Sequence, residues 1–330
     1  MNKRVVAMGI LAGLLLSALQ PGEAWAAKKR RTGAVLLPPA QFKALPSVPR
    51  YRAYLPPSAD LTPWFPAPGE QGDQPSCTAW ATGYALRSYY ENRLSKAPKA
   101  TPAALSPAFI YNQLIEPGQS CSQGLAVPTA LDLLKQSGVP PMTAFSYDEK
   151  TCDRRPTSDV IAMAGHFRIE DWKAVNPRRL DDVKGEIANG NPVVIAMQVT
   201  KDFEKYESAA PFDDLTPADN THAMVLVGYD ESKRSFRLIN SWGEDWGDKG
   251  YGWLTYRAFD ALVPEAYTVR LDEEVPPAPL AGLDPEPPKP VPAKQEPVTA
   301  EPVKAEPEKT LMVKADPVKP EPDKSKLGIK

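Results

Sequence analysis

Thirty-eight of the 330 residues are proline, and their crowding near the C-terminus constrains this chain more than any other feature. From Pro276 onward, Pro alternates with Glu, Lys and Ala, and in QEPVTAEPVKAEPEK prolines 297, 302 and 307 recur every five residues. Proline lacks the amide hydrogen that helices and sheets need and favours extended polyproline II backbone. Such a sequence stays solvated and buries no core. Residues 273–330 are therefore expected to form a disordered, semi-rigid tail. Folding is left to the chain before them.

The opposite end is also set apart. Lys3 and Arg4 precede an apolar stretch from Val5 to Leu19, and Ala24-Trp25-Ala26 then offers the small residues of a cleavage site. Residues 1–26 read as a secretory signal peptide cut before Ala27. An uncleaved anchor is the competing reading, but the apolar run falls short of the roughly 20 residues a span needs. After cleavage no stable membrane insertion is expected. Residues 27–54 begin basic and continue proline-punctuated, as a linker or short pro-segment would. The globular domain is placed at 55–272. A net charge of -2 calls for neither nucleic acid nor an anionic membrane surface.

Export changes the meaning of three cysteines, Cys77, Cys121 and Cys152. In an oxidising compartment, periplasmic or extracellular, an odd count means one disulfide and a free thiol, or an intermolecular bond. Cys121 and Cys152 bracket a predicted helix and its following loop, whereas Cys77 stands in a different context. Cys77 is thus the candidate free thiol.

Within 55–272 the first half reads as helical. Trp80, Tyr84, Ala85 and Tyr89 share one face of a helix over 76–92. Ser106-Pro107 opens a second, and 128–136 forms a third that stops at Gly138. A helix over 179–188 ends at Asn189-Gly190, and PVVIAMQV, AMVLVGYD, SFRLINSW and GYGWLTY follow as strands. Helices first and antiparallel strands later predict an α+β domain with two lobes.

Three segments carry candidate chemistry. A turn, Gln71-Gly72-Asp73-Gln74-Pro75-Ser76, delivers Cys77 to a helix start, where free N–H groups and the helix dipole favour the reactive thiolate. The bland alternative is a cysteine packed as a small hydrophobe. Of the two histidines, His166 has no companion motif and reads as structural. His222 stands at the mouth of an apolar strand, where a titratable ring suits a cleft. In Leu238-Ile239-Asn240-Ser241-Trp242-Gly243, Asn240 can hold an imidazole by accepting its N–H, and Trp242 can shield that bond from water.

Together Gln71, Cys77, His222, Asn240 and Trp242, in that order and ending in NSWGEDWGDKGYG, resemble the papain-like cysteine peptidases, in an exported, bacterial-type form. His222 follows Cys77 by 145 residues and Asn240 follows it by 163, the first within and the second just beyond the family interval of about 130–150. The resemblance implies a helical lobe and an antiparallel β-barrel-like lobe. It implies polypeptide substrates, with Cys77 as nucleophile, His222 as its proton partner, Asn240 orienting the ring, and Gln71 with the Cys77 N–H binding the oxyanion. It also implies a Cys121–Cys152 disulfide, although Cys121 can alternatively align with a cysteine of another pair. No metal or organic cofactor is called for.

The departures are specific. Gln74, Pro75 and Thr78 replace the Cys-Gly before the nucleophile pair and the aromatic after it, and Trp80 is the candidate for the missing bulk. The long inhibitory pro-segment of many relatives is absent, which leaves the restraint of activity unaccounted for. Two other functions stand beside an endopeptidase: an inactive papain-like binding module, and a cell-envelope amidase or transpeptidase of the same thiol chemistry. The tail is either a cell-envelope tether or dispensable.

Overall fold

Val193 to Met197 are all fully buried, and this continuous apolar run lies in the interior of the sheet. A strand with two covered faces has no use for polar alternation. The computed structural model describes residues 30–96 and 104–272; the segment 1–26 read as a signal peptide and the stretch 273–330 read as a tail lie outside the described residues. All of these described residues belong to one unit, Met1–Leu283, and a second unit, Asp284–Lys330, lies wholly outside them.

In chain order the strands are β1 (Ala34–Val35), β2 (Ser58–Asp60), β3 (Leu125–Ala126), β4 (Asp171–Val175), β5 (Val193–Gln198), β6 (Thr221–Asp230), β7 (Ser235–Ile239), β8 (Tyr251–Thr255) and β9 (Glu265–Arg270). Seven of them form an antiparallel sheet in the order β4-β9-β5-β6-β7-β8, with β2 also on β6. β6 is long enough to take β5 along Thr221–Leu226 and β2 along Gly228–Asp230.

The sheet corrects the expected β-barrel-like lobe: it is open. Closure would require β4 to pair with β8, and each edge is instead satisfied locally. Val48 donates to the Ala174 carbonyl and Ala174 to that of Pro46, at 2.9 Å each. At the other edge Phe212 donates to Trp253 at 2.8 Å and accepts from Thr255 at 3.0 Å. Irregular chain thus pairs with part of each outer strand, which shortens the exposed edges that closure would otherwise remove.

Helical segments pack beside the sheet in one continuous core. One helix starts at Cys77–Ala79, widens to π geometry over Trp80–Arg87 and returns to α over Ser88–Leu94. The next, Pro107–Leu114, is capped by Ser106, whose Oγ accepts from the Phe109 N–H at 3.1 Å. A third, Val127–Ser137, ends at Gly138 with φ 74°. Among the described residues, no helix is long and apolar enough to cross a membrane.

The stretch read as linker or pro-segment is laid onto this body from residue 30. Phe42, on the short helix Pro39–Ala44, meets Tyr267 edge-on at 5.6 Å. Upstream, β1 pairs with β3 in parallel, Ala34 against Leu125 and Val35 against Ala126.

Candidate active site

The three motif segments converge because backbone ladders pull them together. Gln71 N–H donates to the Ser241 carbonyl at 2.9 Å, and Gly243 N–H to that of Gly69 at 2.9 Å, which staples the turn before Cys77 to the Asn240–Trp242 segment. β6 and β7 align Val225 with Ile239, so His222 and Asn240 emerge at the same end of adjacent strands.

Asn240 Oδ1 lies 2.7 Å from His222 Nε2 and accepts the Ser241 N–H, also at 2.7 Å. A carbonyl oxygen only accepts, so in the neutral ring Nε2 carries the proton. Nδ1 then has the lone pair, and it has no partner among the described residues. Trp242 stacks on the imidazole with centroids 4.1 Å apart and planes 24° from parallel. That indole covers the hydrogen bond and holds the ring in one plane.

Cys77 begins its helix, and the backbone N–H groups of Ala223, Thr78 and Gly33 face its sulfur. Contact with Ala223 brings the thiol to the residue next to His222. Gln71 is held by its oxygen: Ser241 Oγ donates to Oε1 at 2.6 Å, leaving the Nε2 hydrogens for Gln74 O at 2.9 Å and Arg31 O at 3.2 Å. Trp80, two residues beyond Thr78, is nearly buried against Tyr84 and Tyr147. Cys121 and Cys152 are disulfide-bonded with Cα atoms 5.7 Å apart, and Cys77 is the free cysteine. His166 lies in a short turn, Gly165–Phe167, away from this cluster.

Residues 30–37 cross the site as a strap. The Arg31 carbonyl accepts from Gln71 Nε2 and, at 2.9 Å, from the Trp242 indole N–H. Gly33 donates to Thr221 O at 3.1 Å and accepts from Leu125 N–H at 2.9 Å. Leu37 N–H ends the crossing on Glu265 Oε1 at 2.5 Å. Cys77 and His222 are left with no exposed surface. Burial pushes the Cys77 thiol up to about 11 against the pull of the surrounding N–H groups, and pushes the His222 imidazole down to about 4 despite Asn240. Both groups are uncharged near neutral pH in this covered state, so desolvation outweighs the helix-start effect.

Sequence reasoning missed the strap, Ser241 as the holder of Gln71, and the Ala223 N–H. Ser241 stands inside a motif that was read, but its contact spans 170 residues of chain. The strap carried no periodic signal at all.

Residues 68–261, more than half of the chain, match the family described as "Papain family cysteine protease". Among curated proteins, the chain is 25% identical over 186 residues to Cysteine protease Amb a 11.0101 of Ambrosia artemisiifolia, covering 55% of this chain and 45% of that one. It is 28% identical over 191 residues to Cathepsin K of Mus musculus, covering 56% and 54%. The chain thus spans about half the length of these relatives. Among solved structures, Xylellain, a cysteine protease from Xylella fastidiosa, shares the fold with a TM-score of 0.63 at 24% identity, over 75% of this chain and 100% of that one. Given the match across residues 68–261 and the geometry around Cys77, the chain belongs to the papain family of cysteine proteases.

Proposed function

We propose that this chain is an exported, bacterial-type endopeptidase that hydrolyses peptide bonds through Cys77. The observation that carries the reading is the His222–Asn240 hydrogen bond beneath Trp242, with Nδ1 unpartnered and Cys77 beside Ala223. Nδ1 takes the thiol proton, and the thiolate attacks the substrate carbonyl carbon. The oxyanion forms against Gln71 Nε2 and the Cys77 N–H, donors of a kind worth about 3 kcal/mol each. The imidazolium protonates the leaving amine, whose departure leaves a thioester on Cys77. Water, giving its proton to His222, releases the acid and restores the thiol.

The strap accounts for how activity is restrained. It fills the hole at Gln71 with the Arg31 carbonyl and covers both catalytic groups, so it must leave before a substrate enters. Its course from Arg30 to Val35 is the room an internal stretch of peptide needs, which supports an endopeptidase. Export is supported by the Cys121–Cys152 disulfide, since such bonds persist in oxidising compartments. A tail that tethers the enzyme to the envelope belongs to the same proposal.

Hydrolysis of an internally quenched peptide by the secreted protein tests this reading. Cys77→Ala should lower it by about 1000-fold or more, and an epoxysuccinyl electrophile should label Cys77 in the native protein. Unchanged hydrolysis by the alanine variant would overturn the assignment.

A further inference from the structure

The strap's first described side chain sits where nothing in the mechanism requires a charge. The Arg30 side chain keeps only 9% of its surface. Its Nη1 donates to the Glu204 carbonyl, and its Nη2 donates to the Asp245 carbonyl at 3.3 Å and lies 3.8 Å from Glu207 Oε1. Nε is buried with no partner among the described residues. Burial lowers the guanidinium's pKa, and the carboxylate fields that oppose it come from Glu207, Glu70, Asp245 and Glu204. Two inward carbonyls and four acids make a depression that suits a forked cation.

Its position in the cleft follows from His222. The imidazolium must protonate the leaving amine, so the leaving half of the substrate lies on the imidazole's side. The depression is built from that side: Trp242 stacks on His222, Trp246 packs against Trp242 at 5.8 Å, and the Trp246 indole donates to Phe203 O at 2.9 Å. Glu204 and Asp245 are the chain neighbours of Phe203 and Trp246. A substrate that displaces the Arg31 carbonyl from Gln71 also takes Arg30 out of this depression. The Glu204 and Asp245 carbonyls then lose their donors, at a cost unless a new donor enters.

We propose that the depression formed by Glu204, Glu207 and Asp245 is a subsite for an arginine or lysine side chain of the substrate, on the leaving-group side of the scissile bond. This rests on the peptidase reading for its substrate, and the strap occupies the subsite with its own arginine until a basic peptide replaces it. Arginine fits better than lysine, because one planar fork reaches both carbonyls and the Glu207 carboxylate.

The test uses the full chain carrying Arg30→Ala, which vacates the subsite. Internally quenched peptides share one acyl half and carry arginine, its neutral isostere citrulline, or glutamate at each of the first three leaving-group positions. At one position kcat/KM should favour arginine over citrulline by about tenfold or more, and Glu207→Gln/Asp245→Asn should reduce that preference to below about threefold. Equal rates at all three positions would overturn the subsite. A second arm needs no turnover. Tryptophan fluorescence of the Arg30→Ala/Cys77→Ala protein, titrated with N-acetyl-arginine amide, should saturate, and the citrulline analogue should bind at least about tenfold more weakly. Saturation with no cleavage of any peptide by Arg30→Ala, even after limited proteolysis has removed the strap, would keep the subsite and sink the peptidase reading. Indifference to the two analogues would overturn the subsite whatever the peptides show.

Discussion

His222 and Cys77 each trade charge for burial, and the trade has a sign that can be measured. Unfolded, His222 takes up a proton near its ordinary 6.5; in the covered fold it does so only near 4. Between those values the unfolded state binds more protons, so stability must fall as pH falls through that window. Cys77 works in the other direction. Its thiol ionises near 9.0 when unfolded and near 11 when covered, so stability falls as pH rises between them. Calorimetric Tm should therefore decline on both flanks, with His222→Gln flattening the acid flank and Cys77→Ser the alkaline one. Parent and variant profiles of the same shape would show that burial of these groups is not what the fold holds against. At this scale the meeting of His222, Asn240 and Trp242 was legible, because these residues announce themselves by type, order and spacing. Their protonation was not legible. A helix start predicts a stabilised thiolate, and burial of the sulfur reverses that prediction.

At the scale of elements, the strap depends on two glycines for clearance. A Cβ at Gly33 would lie 2.2 Å from the Pro75 carbonyl oxygen, and one at Gly124 would lie 2.1 Å from that of Gly33. Neither oxygen belongs to a flexible side chain, so the strap can pass only if both positions stay bare. Gly33→Ala should displace the strap and raise the rate of Cys77 alkylation by about tenfold or more, since overpacking costs on the order of 1–3 kcal/mol. A rate within about twofold of the parent would mean that the strap does not limit access. Elements driven by local pattern were readable: the helix from Cys77, the Ser106 cap, the stop at Gly138, and strands β5 to β8. β1 and β3, of two residues each, were not, because they exist only by pairing with each other. β4 and β9 escaped for a related reason, as partners whose pattern means little without the sheet. The π stretch over Trp80–Arg87 also went unread, since its apolar spacing fits an ordinary helix.

For the whole molecule, the last described strand fixes where the domain can end. β9 lies between β4 and β5, and Arg270 Nη2 meets both oxygens of Glu186 at 3.0 and 2.9 Å. Loss of that strand would strip two ladders. Truncation after Asp272 spares it and should leave Tm and peptide hydrolysis unchanged; a lower Tm or lost turnover would make the tail part of the fold. The openness of the sheet was beyond sequence reasoning, because closure depends on what occupies the outer edges, and Pro46–Val48 and Phe212 are irregular chain. One consequence of the strap concerns concentration. An inhibitor carried on the same polypeptide cannot be diluted away, and a short connection keeps it at an effective concentration of about millimolar. A free peptide of the strap's sequence need bind only weakly to reproduce the same occupancy when attached. The enzyme can therefore stay silent at any dilution, and cutting the strap's covalent connection once would turn it on irreversibly.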